Sequence, residues 1–355
     1  MRPQEFAPAQ LAQAEEINPR QLARELKPFY EPRHLRSWTE LAITLAPFIA
    51  VFGAMLFAVE RGYWAALVLA PLAGLLLLRL FIIQHDCGHG AFFKKRGGND
   101  WVGRALGVLT LTPYDCWRRS HALHHAATGN LDARGFGDVD TLTVREYFEG
   151  SRLKRFGYRL YRHPVVLMGL GPAYLFLLRH RLPIGLMREG KEYWISSMGT
   201  NAMIAAILGG LIWAFGIGAV AAVFFPVLLT AASMGVWLFY IQHQFEDAHW
   251  DRKGEWEFHE AALGGSSYLQ LPAWLQWFTG NIGIHHVHHL ASRIPFYRLP
   301  EALRAHPRLA ELNRFTLRQT VKPMMLALWD EQQRKLVTFR EARRLRAAGK
   351  YVVAG

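Results

Sequence analysis

Eight of the sixteen histidines in this chain share a three- or four-residue spacing within three short clusters: His85 and His89 in HDCGH, His121, His124 and His125 in HALHH, and His285, His288 and His289 in HHVHH. On a helix, residues three or four apart lie over one another, so H-x-x-x-H aims two imidazoles one way and H-x-x-H-H aims three. Imidazole is the commonest protein metal ligand and suits iron, copper, zinc and nickel. Eight exceed what one ion can use, so two ions are the simplest reading. Alone, His85 and His89 fit two interfacial side chains as well as a metal pair, and the second cluster alone fits a basic surface helix following Arg118 and Arg119. Two copies of H-x-x-H-H together with the first pair favour the metal. His243, in FYIQHQFED, follows an apolar stretch as His85 does and is read as a ninth ligand. His286 breaks the face of its cluster and is read as a supporting or surface residue. His163, His180, His249, His259 and His306 follow no cluster pattern and are read as structural or solvated. A ligating imidazole needs a partner on its other ring nitrogen. Asp86, Asp132, Asp138, Asp140, Glu246, Asp247, Asn130 and Asn281 lie near enough in the chain to serve.

These clusters border long apolar segments. Four stretches reach the length of about 20 residues that a bilayer crossing requires: roughly 38–59, 62–84, 197–216 and 219–241. Glu60-Arg61 links the first two and Gly216-Ile217-Gly218 the last two. The expected architecture is therefore an all-α membrane protein, with four transmembrane helices in two hairpins and a cytoplasmic helical cap carrying the histidines. Residues 1–37 form a cytoplasmic lead-in, 38–300 the membrane domain and 301–355 a helical tail. Asn18-Pro19 is a cap signal for a short helix through Leu26. Residues 101–112 and 165–178 are apolar but too short to span, and are expected at the interface. If 165–178 crossed, the third cluster would face the opposite side from the first two. The net charge of +13 comes from basic residues flanking apolar segments. Anionic headgroups and the positive-inside rule account for it, with no nucleic acid. The bias sets both termini and the clusters in the cytoplasm. Only Cys87 and Cys116 occur, giving neither a disulfide framework nor a CxxC metal pattern. The polar N-terminus shows no signal peptide.

Two other chemistries match the histidine pattern only in part. HDCGH approximates the H-E-x-x-H zinc protease motif, but Asp86 stands where the general base belongs and two clusters are surplus to one zinc. A metal transporter would hold its ligands within the spans, whereas these lie at or beyond span ends.

HDCGH, HALHH and HHVHHL, in the order two spans, two boxes, two spans, third box, resemble the membrane fatty acid desaturases. HALHHAATGNLDARGFGDVDTLTVREY, FYIQHQFEDAHW and GNIGIHHVHHLASRIPFYRL resemble the bacterial and plastid-like delta-12 (omega-6) branch, and the resemblance covers roughly residues 30–340. It implies two irons, dioxygen as co-substrate and a bacterial inner membrane location. It further implies a fatty acyl substrate on a glycerolipid, coenzyme A or acyl carrier, with removal of two hydrogens to give a cis double bond. No fused haem-binding H-P-G-G motif and no ferredoxin cysteines occur, so electrons come from a separate donor, ferredoxin or similar. Fatty acyl hydroxylases share the boxes and are the nearest alternative. In related acyl-CoA desaturases an Asn four residues before the additional histidine holds a metal-bound water; Phe239 occupies that place. Lys94, Lys95, Arg118 and Arg119 suit either a headgroup or the positive-inside bias.

Overall fold

The computed structural model describes residues 18–135 and 137–351. It is largely helical. The principal helices are α1 (His34–Glu60), α2 (Ala70–Gly88), α3 (Arg96–Leu109), α4 (Tyr114–Ala127), α5 (Arg152–Tyr161), α6 (Lys191–His243), α7 (Ala273–Phe278), α8 (His285–Leu290) and α9 (Phe339–Ala347). Among the described residues, three segments are long and apolar enough to cross a membrane: α1, α2 with the 3-10 turn leading into it (Trp64–Gly88), and α6. The stretches expected as third and fourth spans both lie in α6, a 53-residue element interrupted at Gly216 (φ 78, ψ 151). That backbone conformation suits only glycine, and it falls in the expected link. The Asn18 side chain accepts from the Arg20 and Gln21 amides, starting the short helix Pro19–Glu25.

The largest core lies where α2 packs against α1 and α6. A buried ion pair, Arg79 of α2 with Glu40 of α1, crosses this core. Arg79 also donates to the Thr44 hydroxyl at 3.1 Å and to the Trp277 carbonyl at the end of α7, and its guanidinium lies 4.1 Å from the centre of the Trp277 ring. A charge in such apolar surroundings is tolerated because each donor has a partner.

The all-α expectation needs correction. Among the described residues, five short strands occur: β1 (Leu142–Thr143), β2 (Tyr268–Gln270), β3 (Arg314–Thr316), β4 (Leu326–Asp330) and β5 (Lys335–Thr338). β1 pairs in parallel with β4, which pairs antiparallel with β5, and β2 pairs in parallel with β3. The tail expected to be helical holds three of them. Pro323 limits the run before β4, and the Asp330 carboxylate accepts from the Gln332 and Gln333 amides, turning the chain between β4 and β5. The abundant arginines of this tail hide two short apolar runs that suit strands.

Candidate metal centre

His85 lies in the last turn of α2 and His89 caps it. α4 supplies His121, His124 and His125; His243 is the last residue of α6; α8 carries His285, His288 and His289. The start of α8 is pinned by the Ser267 carbonyl, which accepts from the His285 and His286 amides at 3.2 Å. All nine expected residues come together, in two groups. His85, His89, His121, His125 and His288 form one; His124, His243, His285 and His289 form the other. Within each group the ligand atoms lie within 4.8 Å of one another.

The grouping corrects the expectation that H-x-x-H-H aims three imidazoles together. The i,i+4 pair of each cluster stays together, His121 with His125 and His285 with His289, while the remaining histidine joins the other group. Consecutive residues diverge by about 100° around a helix, so His124 and His125 cannot share a target, nor can His288 and His289. The two H-x-x-H-H segments thus exchange one ligand each. The rings of His125 and His289 stack at 4.0 Å and form the wall between the groups.

Both groups fit metal ions. Two imidazole nitrogens about 2.1 Å from one ion stand about 3.0 Å apart at a right angle and about 3.4 Å apart at a tetrahedral angle. Here the Nε2 separations are 3.0 Å for His89–His121, 3.1 Å for His121–His125 and 3.2 Å for His125–His288. In the second group they are 3.2 Å for His124–His243 and 2.9 Å for His243–His285. Burial, reinforced by the neighbouring imidazoles, holds His89, His121, His125, His285, His288 and His289 well below the ordinary imidazole range. These rings are therefore neutral at pH 7, as ligands must be. His289 has both ring nitrogens buried without a hydrogen-bond partner, a cost that a metal bond relieves.

The outer nitrogens are held selectively. Asp138 takes the Nδ1 of His124, the Gly265 carbonyl that of His243 at 3.1 Å, and Asp86 that of His85 at 3.2 Å. The other Asp86 oxygen accepts the Phe296 amide at 2.6 Å, so both oxygens of this carboxylate are engaged. Asp138 reaches His124 because Gly137 (φ +78) brings its loop against α4; a Cβ there would stand 3.0 Å from the Ser120 carbonyl and 3.2 Å from the His124 Cβ. Of the other acids expected to support ligands, Asp132 binds Arg252 and Glu246 binds Lys322 and Lys335. Asn130 accepts the Asp132 amide, and Asn281 faces the Phe296 carbonyl. Asp140 and Asp247 are exposed, with no histidine partner among the described residues. His286 belongs to neither group and is not at the surface: it is fully buried with Nε2 on the Leu309 carbonyl at 2.9 Å, and burial pushes it down to about 4.

Three further contributors come from the fold. The Trp117 ring stacks on His121 at 4.5 Å, and its place four residues before His121 is the only signal of this in the sequence. Phe239 packs on both His124 and His243, at 5.1 and 5.2 Å. The Gly265 carbonyl has no signal at all.

The fatty acid desaturase family model matches residues 62–321, which contain every one of these histidines. A fatty acid desaturase of Bacillus subtilis (strain 168) is 39% identical over 321 residues, covering 90% of this chain and 91% of that protein. The chain belongs to the fatty acid desaturase family. Among other desaturases it is similar to the sn-1 acyl-lipid omega-3 desaturase (ferredoxin) of Synechocystis, 31% identical over 68% of each chain. The sn-1 oleoyl-lipid 12-desaturase of the same organism is 25% identical over 77% of this chain and 76% of that protein. The family consists of oxidoreductases, which sets aside the protease and transporter readings, and the three apolar segments accord with membrane association.

Proposed function

We propose that this desaturase inserts a cis double bond into an acyl chain carried on a membrane lipid, with one iron in each histidine group and electrons from a separate ferredoxin-like donor. The observation that carries the reading is the sorting of nine imidazoles, from four separate parts of the chain, into two sets with metal-ligand spacing. Two irons, supplied with dioxygen and two electrons, provide the oxidising power that no side chain has toward an unactivated methylene. The chain's own residues hold the ligands neutral, fix their orientation through Asp138, Asp86 and the Gly265 carbonyl, and wall the centre from water with Trp117 and Phe239. Transfer from lipid to a protein tunnel gains little hydrophobic energy. The position of the double bond is therefore set by shape and headgroup contacts, and delta-12 placement is the expectation to be tested.

The proposed topology follows from dimensions. A continuous 53-residue helix would extend about 80 Å, against a hydrocarbon thickness of about 30 Å. We read the two parts of α6 on either side of Gly216 as two spans, giving four in all. The histidines and both termini then lie on the cytoplasmic side of a bacterial inner membrane, with 101–112 and 165–178 at its surface.

Elemental analysis of purified protein is expected to give two irons per chain. Mass spectrometry of lipids from a host expressing the gene is expected to show a new double bond, and its position. One stoichiometric zinc without iron, or no new lipid product, would refute the proposal; hydroxy acids in place of new double bonds would select the hydroxylase alternative.

A further inference from the structure

Helix α5 (RLKRFGYRLY) buries only Tyr158 of its ten residues. Tyr158 packs on the Tyr147 and Phe339 rings, which orients the helix. On the opposite side Leu153, Phe156 and Leu160 are 80%, 66% and 53% exposed. Their spacing of three and four places them in one stripe, and Gly157 beside it has open space where a Cβ would stand. Arg152 and Arg159 flank the stripe on one side, Lys154 and Arg155 lie further round toward Tyr158, and the helix has no acidic residue. None of the four has an acidic partner among the described residues; Arg155 reaches the Phe148 carbonyl and Arg159 the Tyr147 hydroxyl. The exposed apolar surface continues past the helix through Val165, Leu170, Tyr174 and Leu178.

An apolar stripe on a helix whose charged residues are all cations is the surface that an amphipathic helix presents to an anionic bilayer. We propose that α5 lies on the anionic membrane surface, with Leu153, Phe156 and Leu160 at the acyl boundary and its cations at lipid phosphates, and that this seating supports the second histidine group. The link is Arg162, buried immediately after α5. It donates to the Tyr240 hydroxyl at 3.0 Å and the Gln244 side chain at 2.9 Å, residues on either side of His243. It also donates to the Asp140 carbonyl at 2.9 Å, two residues from Asp138, the partner of His124. A helix held on the bilayer therefore steadies two ligands of one group. The inference rests on the proposed function only in taking the chain as a membrane-embedded enzyme.

The test uses full-length, iron-loaded enzyme in lipid nanodiscs, with Gly157→Cys labelled by an environment-sensitive fluorophore in a Cys116→Ser background; Cys87 is buried. In discs containing phosphatidylglycerol the label is expected to be quenched by brominated lipid and shielded from aqueous iodide. Discs of pure phosphatidylcholine should show less of both. Arg152→Gln and Lys154→Gln should each weaken the anionic response about fivefold. Turnover should rise several-fold with phosphatidylglycerol, and Leu153→Asn/Phe156→Asn should abolish that rise while iron content is retained. A label open to iodide in both lipids would overturn the seating. A seated label with turnover indifferent to lipid charge would overturn the link to the histidine group. Double-bond formation in phosphatidylcholine discs reports separately on the desaturase reading.

Discussion

Asp138 offers a direct test of how the second histidine group is held. Its carboxylate accepts from Nδ1 of His124, presenting Nε2 to the ion, and its side chain is 14% exposed. A hydrogen bond to a charged group is worth about 1.5–3 kcal/mol, and loss of a ligand's outer partner lowers metal affinity about 10- to 100-fold. The two estimates agree, since tenfold is about 1.4 kcal/mol. Asp138→Ala is therefore expected to weaken the iron in the second group by that factor and leave the first group unchanged. Asp138→Asn keeps an acceptor but loses the charge, and should fall between. Asp132→Asn is the control: it lies in the same loop but binds Arg252 at the surface, and should leave both irons in place. The assay is iron retained per chain across a chelator titration, reading the more labile ion. If Asp138→Ala keeps that ion at the wild-type chelator midpoint, or loses both ions together, the assignment of Asp138 to His124 is wrong.

Other predictions concern the same framework. Arg79→Met leaves Glu40 buried with only Arg36 beside it, so it should destabilise by about 3–5 kcal/mol; Arg79→Met with Glu40→Leu should cost less than either single change, and additive costs in denaturant titration would refute the pairing. Gly137→Ala should push the loop off α4 and lower iron in the second group selectively, while Gly97→Ala, with open space around it and a helical backbone, should leave iron content unchanged. His89→Ala and His285→Ala remove ligands from different groups and should each leave close to one iron per chain; loss of the same iron from both would refute the grouping.

How much of this is legible in the sequence varies by residue. The ligand set can be read because so many imidazoles at helical spacing beside apolar runs serve little purpose besides holding metal. Their division cannot, although the 100° step between His124 and His125 contains it, because the two targets become distinct only when α4 and α8 face each other. Asp138 and Asp132 look equivalent along the chain; the difference is the backbone turn at Gly137 and the nearness of Arg252. Asn18 announces its helix because capping is local. β4 and β5 escape detection because short apolar runs between arginines carry no helical or strand period long enough to register. The Gly265 carbonyl is backbone, and no residue type marks it.

The pairing of β1 with β4 sets an order of assembly. Leu142 and Thr143 stand a few residues after Asp138, yet their strand partners are Leu328 and Trp329. The Leu326 carbonyl also accepts from the Tyr240 hydroxyl and from Arg162. During synthesis, every imidazole has been added to the nascent polypeptide before these partners leave the ribosome. Iron offered at that stage would meet a half-built receptacle whose Asp138 loop is still untethered. A product truncated before Leu326 is therefore expected to carry all nine grouped histidines and an unfinished centre.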